Sequence, residues 1–264
     1  MKQLIATAVL CLCAALARNG AAAPLLIYAD DGYPPYTYVE QGRLTGVYTD
    51  IVQRALQAMP QYQVELRAVP WQRGISMLQA GKIFAMYPPY AMRAERPDVL
   101  YSVPLMTEHV IVFCNGSVTA RRKLARWPDD YRGLRIGLNT GFLVADAGFI
   151  AARKAGAFVM DTAKGTRANL LKLMRGRIDC YINDRLSTQW EWQRLQREGQ
   201  VGPGMLAMRE MTQLADQHVY LAYSRKFAQA DPFRDDFMRQ FNAAVLRLQQ
   251  TGVVQRLLAQ AQRQ

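Results

Sequence analysis

The stretch PWQRGISMLQAGKIFAM, residues 70–86, decides the fold of this chain. Apolar residues in its first half recur at helical spacing, Gly81 is a typical C-terminal stop, and IFAM has the composition of a buried strand. The stretch immediately before it, YQVELRAV (62–69), alternates as a strand does. The pattern therefore predicts a strand, a helix and a second strand, the unit of an α/β fold with a largely parallel sheet.

Outward from this unit, similar elements occur on both sides. Towards the N-terminus, a buried strand (25–30) precedes a turn-rich segment (31–46) and an amphipathic helix (47–59). Beyond a long apolar run at 105–114, the order of strand and helix begins again, with Gly176 as a second helix stop. Further strands are predicted at 135–139, 157–161, 178–184 and 218–224, and two helical stretches broken at Thr251-Gly252 end the chain. The sequence thus predicts two similar α/β halves.

The first residues have the character of a secretory leader. Lys2 precedes an uninterrupted apolar run at 4–17, and small residues at 20–23 suit cleavage near Ala22. We therefore expect residues 1–22 to be a signal peptide, because the run is shorter than the roughly 20 residues that span a membrane. Leucine, rather than a small residue, precedes each leader cysteine, so we expect a soluble exported protein, periplasmic in a Gram-negative cell.

Two cysteines, Cys114 and Cys180, lie outside the predicted leader, both in apolar, strand-like runs. Export permits a disulfide between them. The alternative is two buried thiols that behave as small hydrophobic side chains. The sequence favours the thiols, because it does not fix the geometry that a disulfide needs.

The formal net charge of the whole chain is +12, and removing Lys2 and Arg18 with the leader leaves +10. Such a balance is often found in proteins that bind nucleic acid. Here the basic residues are scattered, and the densest cluster, at 121–123, is short. We expect a solvated basic surface and no nucleic-acid partner.

Five stretches carry a resemblance to a known family. They are YPPYTYVEQGRLTGVYTDI (33–51), PWQRGISMLQAGKI (70–83), AERPDVLYSVPL (94–105), YRGLRIGLNTG (131–141) and LLKLMRGRIDCYIND (170–184). In this order the chain resembles the extracellular (periplasmic) solute-binding proteins, family 3, of amino-acid ABC importers. The resemblance implies a two-lobed periplasmic-binding-protein-like (type II) α/β fold with a ligand cleft between lobes joined by two crossover strands. Lobe 1 would comprise 23–108 plus 219–264, and lobe 2 would comprise 109–218.

The same resemblance implies a function. The protein would capture a small-molecule ligand, an amino acid or related carboxylate, and present it as a monomer to an inner-membrane ABC permease. It implies no cofactor, no metal and no catalytic residue. Polar or basic amino acids are the leading expectation for the ligand.

Arg96 lies fifteen residues after Gly81. It corresponds to the arginine that, in the family it resembles, binds the α-carboxylate of the ligand. A guanidinium fork matches a carboxylate with two hydrogen bonds and keeps its charge. The alternative is a surface ion pair with Glu95 or Asp98. The chain departs from the family just before this arginine, where Pro88, Pro89, Tyr90 and Ala91 replace hydroxyl residues and free backbone N–H groups, so the Tyr90 hydroxyl is a candidate donor.

Asp184 falls where the family places the carboxylate that binds the α-ammonium, eight residues after Gly176. It also directly precedes a predicted helix, where an aspartate caps the first turn. Both roles remain open at this point.

Aromatic residues fall where the family encloses the ligand side chain. Tyr33 and Trp71 are candidate walls, with core packing as the alternative for Trp71. Asp30, at the end of the first strand, is a candidate for a distal amine or amide, and Arg73 is a further candidate whose alternative is a solvated helix face. Phe142 stands where the family tends to have Thr or Ser, which makes this lobe more apolar towards the ligand.

Two other functions remain on the same scaffold. One is a ligand sensor that serves no importer, and the other is an exported dehydratase-like enzyme. An enzyme needs a general acid or base in the cleft, for which Glu108 and the two aspartates named above are candidates. We expect His109 and His218 to be structural.

Overall fold

The computed structural model describes residues 24–144 and 146–263, so the predicted leader lies outside the described residues. The strands are β1 (Leu25–Asp30), β2 (Gly32–Tyr33), β3 (Thr37–Glu40), β4 (Arg43–Thr45), β5 (Val64–Val69), β6 (Ala85–Tyr87), β7 (Val99–Tyr101), β8 (Met106–Asn115), β9 (Arg135–Asn139), β10 (Val159–Ala163), β11 (Cys180–Asp184), β12 (Met208–Val219) and β13 (Ala222–Ser224). The helices are α1 (Val47–Gln57), α2 (Trp71–Gln79), α3 (Gly116–Arg121), α4 (Ala147–Lys154), α5 (Gly165–Met174), α6 (Arg185–Arg197), α7 (Arg234–Gln250) and α8 (Val253–Ala261), with 3₁₀ turns at Asp129–Tyr131 and Ala228–Ala230.

The first sheet has the strand order β5-β1-β6-β13-β7, in which β5, β1 and β6 are parallel and β13 is antiparallel to both of its neighbours. Its strands bury residues on both faces because helices cover both, as a parallel sheet requires. Ile27 and Phe84 pack with residues of α1 and α7 on one face. Leu78 of α2 and Met86 pack on the other.

Helix α2, in the stretch at residues 70–86, ends where the sequence predicted. α2 runs to Gln79, and Gly81 follows with φ +70°. The Gly81 N–H donates to the Leu78 carbonyl at 3.2 Å, and the Lys82 N–H to the Met77 carbonyl at 2.9 Å. A residue with a Cβ is strained in this left-handed conformation, which is why glycine ends the helix here.

The second sheet has the strand order β10-β9-β11-β8-β12. Alternate residues of β8 face its two sides: Val112 and Cys114 enter one core, and Ile111 and Phe113 enter the other. Cys114 and Cys180 lie opposite each other on β8 and β11 and form a disulfide. The interpretation of these cysteines as buried thiols was therefore wrong, because the strand register brings the two side chains together.

Two long strands connect the sheets. β8 and β12 pair along their whole length, with Met106 opposite Val219 at one end and Asn115 opposite Met208 at the other. Met106 and Val219 pack in the core of the first lobe, whereas Val112 packs in that of the second. This arrangement confirms the two-lobed fold with two crossover strands; the exact residues that bound each lobe stay a prediction.

Several elements differ from the sequence analysis, and two of the differences change how the chain enters the sheets. The segment 31–46, predicted as turns, forms the small antiparallel sheet β2-β3-β4. The apolar run 218–224, predicted as one strand, contains the end of β12 and, after a break at Tyr220 and Leu221, β13. The chain leaves one sheet and joins the other at that break, which apolar periodicity does not indicate. Among the described residues, no helix combines the length and hydrophobicity needed to cross a membrane.

Candidate functional site

A narrow cavity lies between the two lobes, and we call it the inner cavity. Its volume is about 20 Å³. The first lobe contributes Tyr33, Trp71, Pro88, Tyr90, Met92 and Arg96 to its lining, and the second lobe contributes Phe142 and Leu143. Arg96 is the one charged residue among them. The cavity therefore combines a largely aromatic and aliphatic wall with a single cation.

Arg96 is held by the loop between β6 and β7 and is only 4% exposed. One guanidinium N–H donates to the Tyr90 carbonyl at 3.2 Å. Among the described residues, no carboxylate pairs with Arg96, and Asp98 pairs with Lys226 at 2.6 Å instead. Burial lowers the pKa of Arg96, and the neighbouring Tyr101 opposes that change. The guanidinium is thus a buried cation that faces a cavity without a protein counter-ion.

The aromatic walls join the two lobes. Trp71 begins α2, directly after β5, and its indole N–H donates to the Gly141 carbonyl at 3.1 Å. Phe142 follows on the second lobe, and its ring centroid lies 5.3 Å from Trp71 and 5.4 Å from Tyr33. Each ring pair at such a distance contributes about 1 kcal/mol to stability, in addition to the free energy gained by burying the apolar area of the rings. These contacts hold the lobes together around the inner cavity.

Behind the cavity wall lies a buried carboxyl group, that of Glu108. The Tyr33 hydroxyl donates to it at 2.7 Å, and the hydroxyls of Tyr48 and Tyr90 also donate to it. Burial raises the pKa of Glu108 to about 8, and the negative charge of Asp184 acts in the same direction, while the three hydroxyl donors oppose it. Glu108 is therefore largely protonated at neutral pH.

Asp184 is 2% exposed, and donors already occupy its carboxylate. Oδ1 accepts from the Tyr36 hydroxyl and from the Ser187 N–H, both at 2.8 Å, and Oδ2 accepts from the His109 N–H at 3.1 Å. The bond from Ser187 makes Asp184 the N-cap of α6, one of the two roles that the sequence allowed. Asp184 does not line the inner cavity, so the geometry does not bring it to Arg96.

A second, wider space of about 500 Å³ adjoins the first, and we call it the outer cavity. Trp71 and Phe142 line both, so their ring pair lies between the two spaces. Asp30 lines the outer cavity, where its carboxylate accepts from the Gly32 N–H at 3.1 Å and burial raises its pKa to about 7. Arg167 also lies there, paired with Glu191 at 3.1 Å.

The remaining candidates lie away from both cavities. Arg73 is on the exposed face of α2. His109 pairs with Asp216 at 2.7 Å, and His218 contacts Thr107 at 3.0 Å. Both histidines are exposed and lie on the crossover strands. In residues 24–144 and 146–263, no group of three or more metal-ligating side chains is placed to hold a metal ion.

The structure thus brings together five residues that the sequence predicted: Tyr33, Trp71, Tyr90, Arg96 and Phe142. It separates Asp30, Asp184 and Arg73 from them. The sequence analysis missed the role of Glu108 and its tyrosine partners. A signal was present, because Glu108 is one charge inside the apolar run 105–114, and a buried acid there requires hydroxyl or N–H donors.

Comparison with known proteins gives a consistent result. A family model described as "Bacterial extracellular solute-binding proteins, family 3" matches residues 25–262. A histidine kinase sensor domain with similarity to periplasmic binding proteins has a TM-score of 0.72 to this chain at 17% identity, covering 90% of this chain and 95% of that one. The arginine-, lysine-, histidine-binding protein ArtJ from Geobacillus stearothermophilus has a TM-score of 0.68 at 13% identity, with 90% and 94% covered.

A third similar structure is the ancestral amino acid-binding protein AncCDT-1, described as a precursor of cyclohexadienyl dehydratase. Its TM-score is 0.67 at 16% identity, with 90% of this chain and 94% of that chain covered. At such identities these likenesses show the fold alone. No curated protein matches the chain in sequence.

Proposed function

Because the chain belongs to family 3 of the bacterial extracellular solute-binding proteins, we propose that it captures a small carboxylate-bearing solute between its lobes in the periplasm and presents it to an ABC importer. The carboxylate binds Arg96, and the body of the solute lies against Trp71, Tyr33 and Phe142. The coarser part, solute binding, is the role of the family. The ligand, the compartment and the transporter are our inference.

The observation that carries the proposal is the buried guanidinium of Arg96 at the inner cavity, which pairs with no carboxylate among the described residues. A buried charge without a partner is unfavourable by several kcal/mol, so a ligand that supplies an anion there gains a strong, charge-assisted contact. The planar fork favours a carboxylate. Exclusion of water by the closed lobes strengthens that contact.

Contacts between the lobes support a mechanism of opening and closing. Trp71 donates to the Gly141 carbonyl, and the Ser187 hydroxyl donates to the Pro34 carbonyl at 2.8 Å. A solute that reaches Arg96 has to enter while the lobes are apart, because the inner cavity is narrow when they are together. Binding then favours a form closed around the solute, which is the form that a permease would recognise.

One specific observation favours an alternative function, that of an enzyme. Glu108 carries a proton near neutral pH, as a general acid does. However, Glu108 is not part of the lining of the inner cavity, and three tyrosine hydroxyls are bonded to it. The arrangement supports binding better than catalysis. A sensor that serves no importer would use the same capture step.

The proposal is tested by thermal shift against amino acids, simple carboxylates and amines, with carried-over ligand removed by unfolding and refolding without reductant. A ligand that binds only the native state stabilises it by roughly 2.7 kcal/mol at a hundredfold excess over Kd. We expect carboxylates to stabilise the wild type but not Arg96→Met. Arg54→Met, which replaces an exposed arginine of α1, is the matched control and should behave as the wild type. An equal shift in Arg96→Met would refute the proposed contact.

A further inference from the structure

Among the described residues, those that line the inner cavity offer a ligand one cation and no anion. Arg96 is the charged member of its lining, and the other members are aromatic, aliphatic or proline side chains. An α-amino acid carries an ammonium group one carbon away from its carboxylate. If the carboxylate is on Arg96, that ammonium must lie within this wall, only a few ångströms from the guanidinium.

Two buried carboxyl groups act on the lining residues Tyr33 and Tyr90, and both are already bonded to the protein. Asp184 accepts three hydrogen bonds, from Tyr36, Ser187 and His109. Glu108 accepts three hydroxyls, and two of these belong to Tyr33 and Tyr90, which line the cavity in front of it. A carboxylate offers about four acceptor positions, so Asp184 has about one left, and Glu108, protonated near neutral pH, has fewer still. Neither group lines the cavity.

An ammonium ion in this cavity would therefore lose its water without gaining a counter-ion. Its three donors would meet only aromatic faces and the hydroxyls of Tyr33 and Tyr90, which already donate to Glu108, and burial of a charge without a counter-ion is unfavourable. The positive charge of Arg96 adds repulsion at short range. Protonation of Glu108 near neutral pH, caused by its burial, removes a negative charge that would otherwise offset this repulsion.

We propose that the ligand of the inner cavity is an apolar carboxylic acid without an α-ammonium group. This inference rests on the proposed function, because it assumes that the carboxylate of a captured solute binds Arg96. It replaces the sequence-based expectation of polar or basic amino acids. That expectation relied on Asp30 and the aromatic walls as acceptors of a distal cation, and Asp30 lies in the outer cavity. Asp184, the expected partner of the α-ammonium, lies at the N-terminus of α6.

The test compares acids that differ only in the amino group. The probes are propanoate with L-alanine, 4-methylpentanoate with L-leucine, and 3-phenylpropanoate with L-phenylalanine, titrated at pH 7 by calorimetry into the refolded, disulfide-bonded chain. Within the pair that binds most tightly, we expect the acid without the amino group to have a Kd at least tenfold lower. Three pairs of increasing size ensure that the result does not depend on one side-chain length.

Variants of Arg96 distinguish a failure of the inference about the ligand class from a failure of the proposed function. Binding of the apolar acids should be lost in Arg96→Met, weakened in Arg96→Lys, which keeps the charge but not the fork, and retained in Arg54→Met. If an amino acid binds as tightly as its partner or more tightly, and does so through Arg96, the inference is overturned while the proposed function stands. If none of the acids, with or without an amino group, binds in an Arg96-dependent manner, the proposed function is itself overturned.

Discussion

Replacing Glu108 by Gln should remove one titrating group from the pH dependence of folding. In the folded protein the pKa of Glu108 is raised from 4.5 to about 8, chiefly by burial. In the unfolded chain the same carboxyl group is exposed and releases its proton at the ordinary pKa. Between these two values the folded state holds a proton that the unfolded state has lost, so stability falls as pH rises.

The size of the effect follows from the interval between the two pKa values. The interval from 4.5 to about 8 spans about 3.5 pH units. At about 1.36 kcal/mol per unit, the contribution of Glu108 is about 5 kcal/mol, fully present below pH 4.5 and lost by about pH 8. Gln cannot titrate, and it keeps the shape of the side chain, so the variant should lack this part of the curve.

The assay is urea unfolding of the wild type and of Glu108→Gln at intervals from pH 4.5 to 9. The difference between their free energies of unfolding should change by about 5 kcal/mol over the range, in favour of the variant at high pH. Asp30, whose pKa burial raises to about 7, titrates in both proteins and cancels in the difference. Parallel curves would show that Glu108 titrates as an exposed acid, and the account of the buried tyrosine cluster would fail.

Three further variants and one control test other parts of the structure, each by the free energy of unfolding in urea. Replacing both Cys114 and Cys180 by Ala should lower it by about 4 kcal/mol, because the bridge closes a loop with a sequence separation of 66, and a reductant should then have no further effect. Gly46→Ala should cost about 3 kcal/mol, because Gly46 has φ +111° and a Cβ there would lie 2.4 Å from the Tyr36 carbonyl oxygen. The control Gly42→Ala, at φ +76° with nothing within 4 Å, should cost about 1 kcal/mol, and equal losses would contradict the argument. Tyr36→Phe should cost about 2 kcal/mol, because it removes one donor from the buried carboxylate of Asp184, and a loss below about 0.5 kcal/mol would contradict that bond.

Most of the fold could be predicted because its signals are local. The helix before Gly81, the strand at 25–30 and the break at Thr251-Gly252 each follow from the spacing of apolar residues and from a glycine within a few positions. The small sheet at 32–45 could not be predicted in this way. Its strands are two to four residues long, too short for periodicity, and its turns dominate the sequence.

The site was predictable only in part, for a related reason. Arg96 and Trp71 belong to stretches whose position relative to the strands is set locally, so their meeting at the cleft follows from the fold. Whether Asp184 can bind a ligand depends on Tyr36, which is 148 residues away in the chain. Contacts over such separations arise only when both lobes are assembled, and no spacing within one stretch indicates them.

The bridge between Cys114 and Cys180 also bears on how the protein is made. The full sequence has four cysteines, of which Cys11 and Cys13 lie in the predicted leader. Four cysteines allow three pairings, whereas the two outside the predicted leader allow one. The exported chain would then depend on a thiol oxidant in its compartment but on no isomerase, because there is no incorrect pairing within the chain to rearrange. Synthesis in a reducing cytoplasm would instead yield the dithiol form, so the route of production decides which form of the protein is obtained.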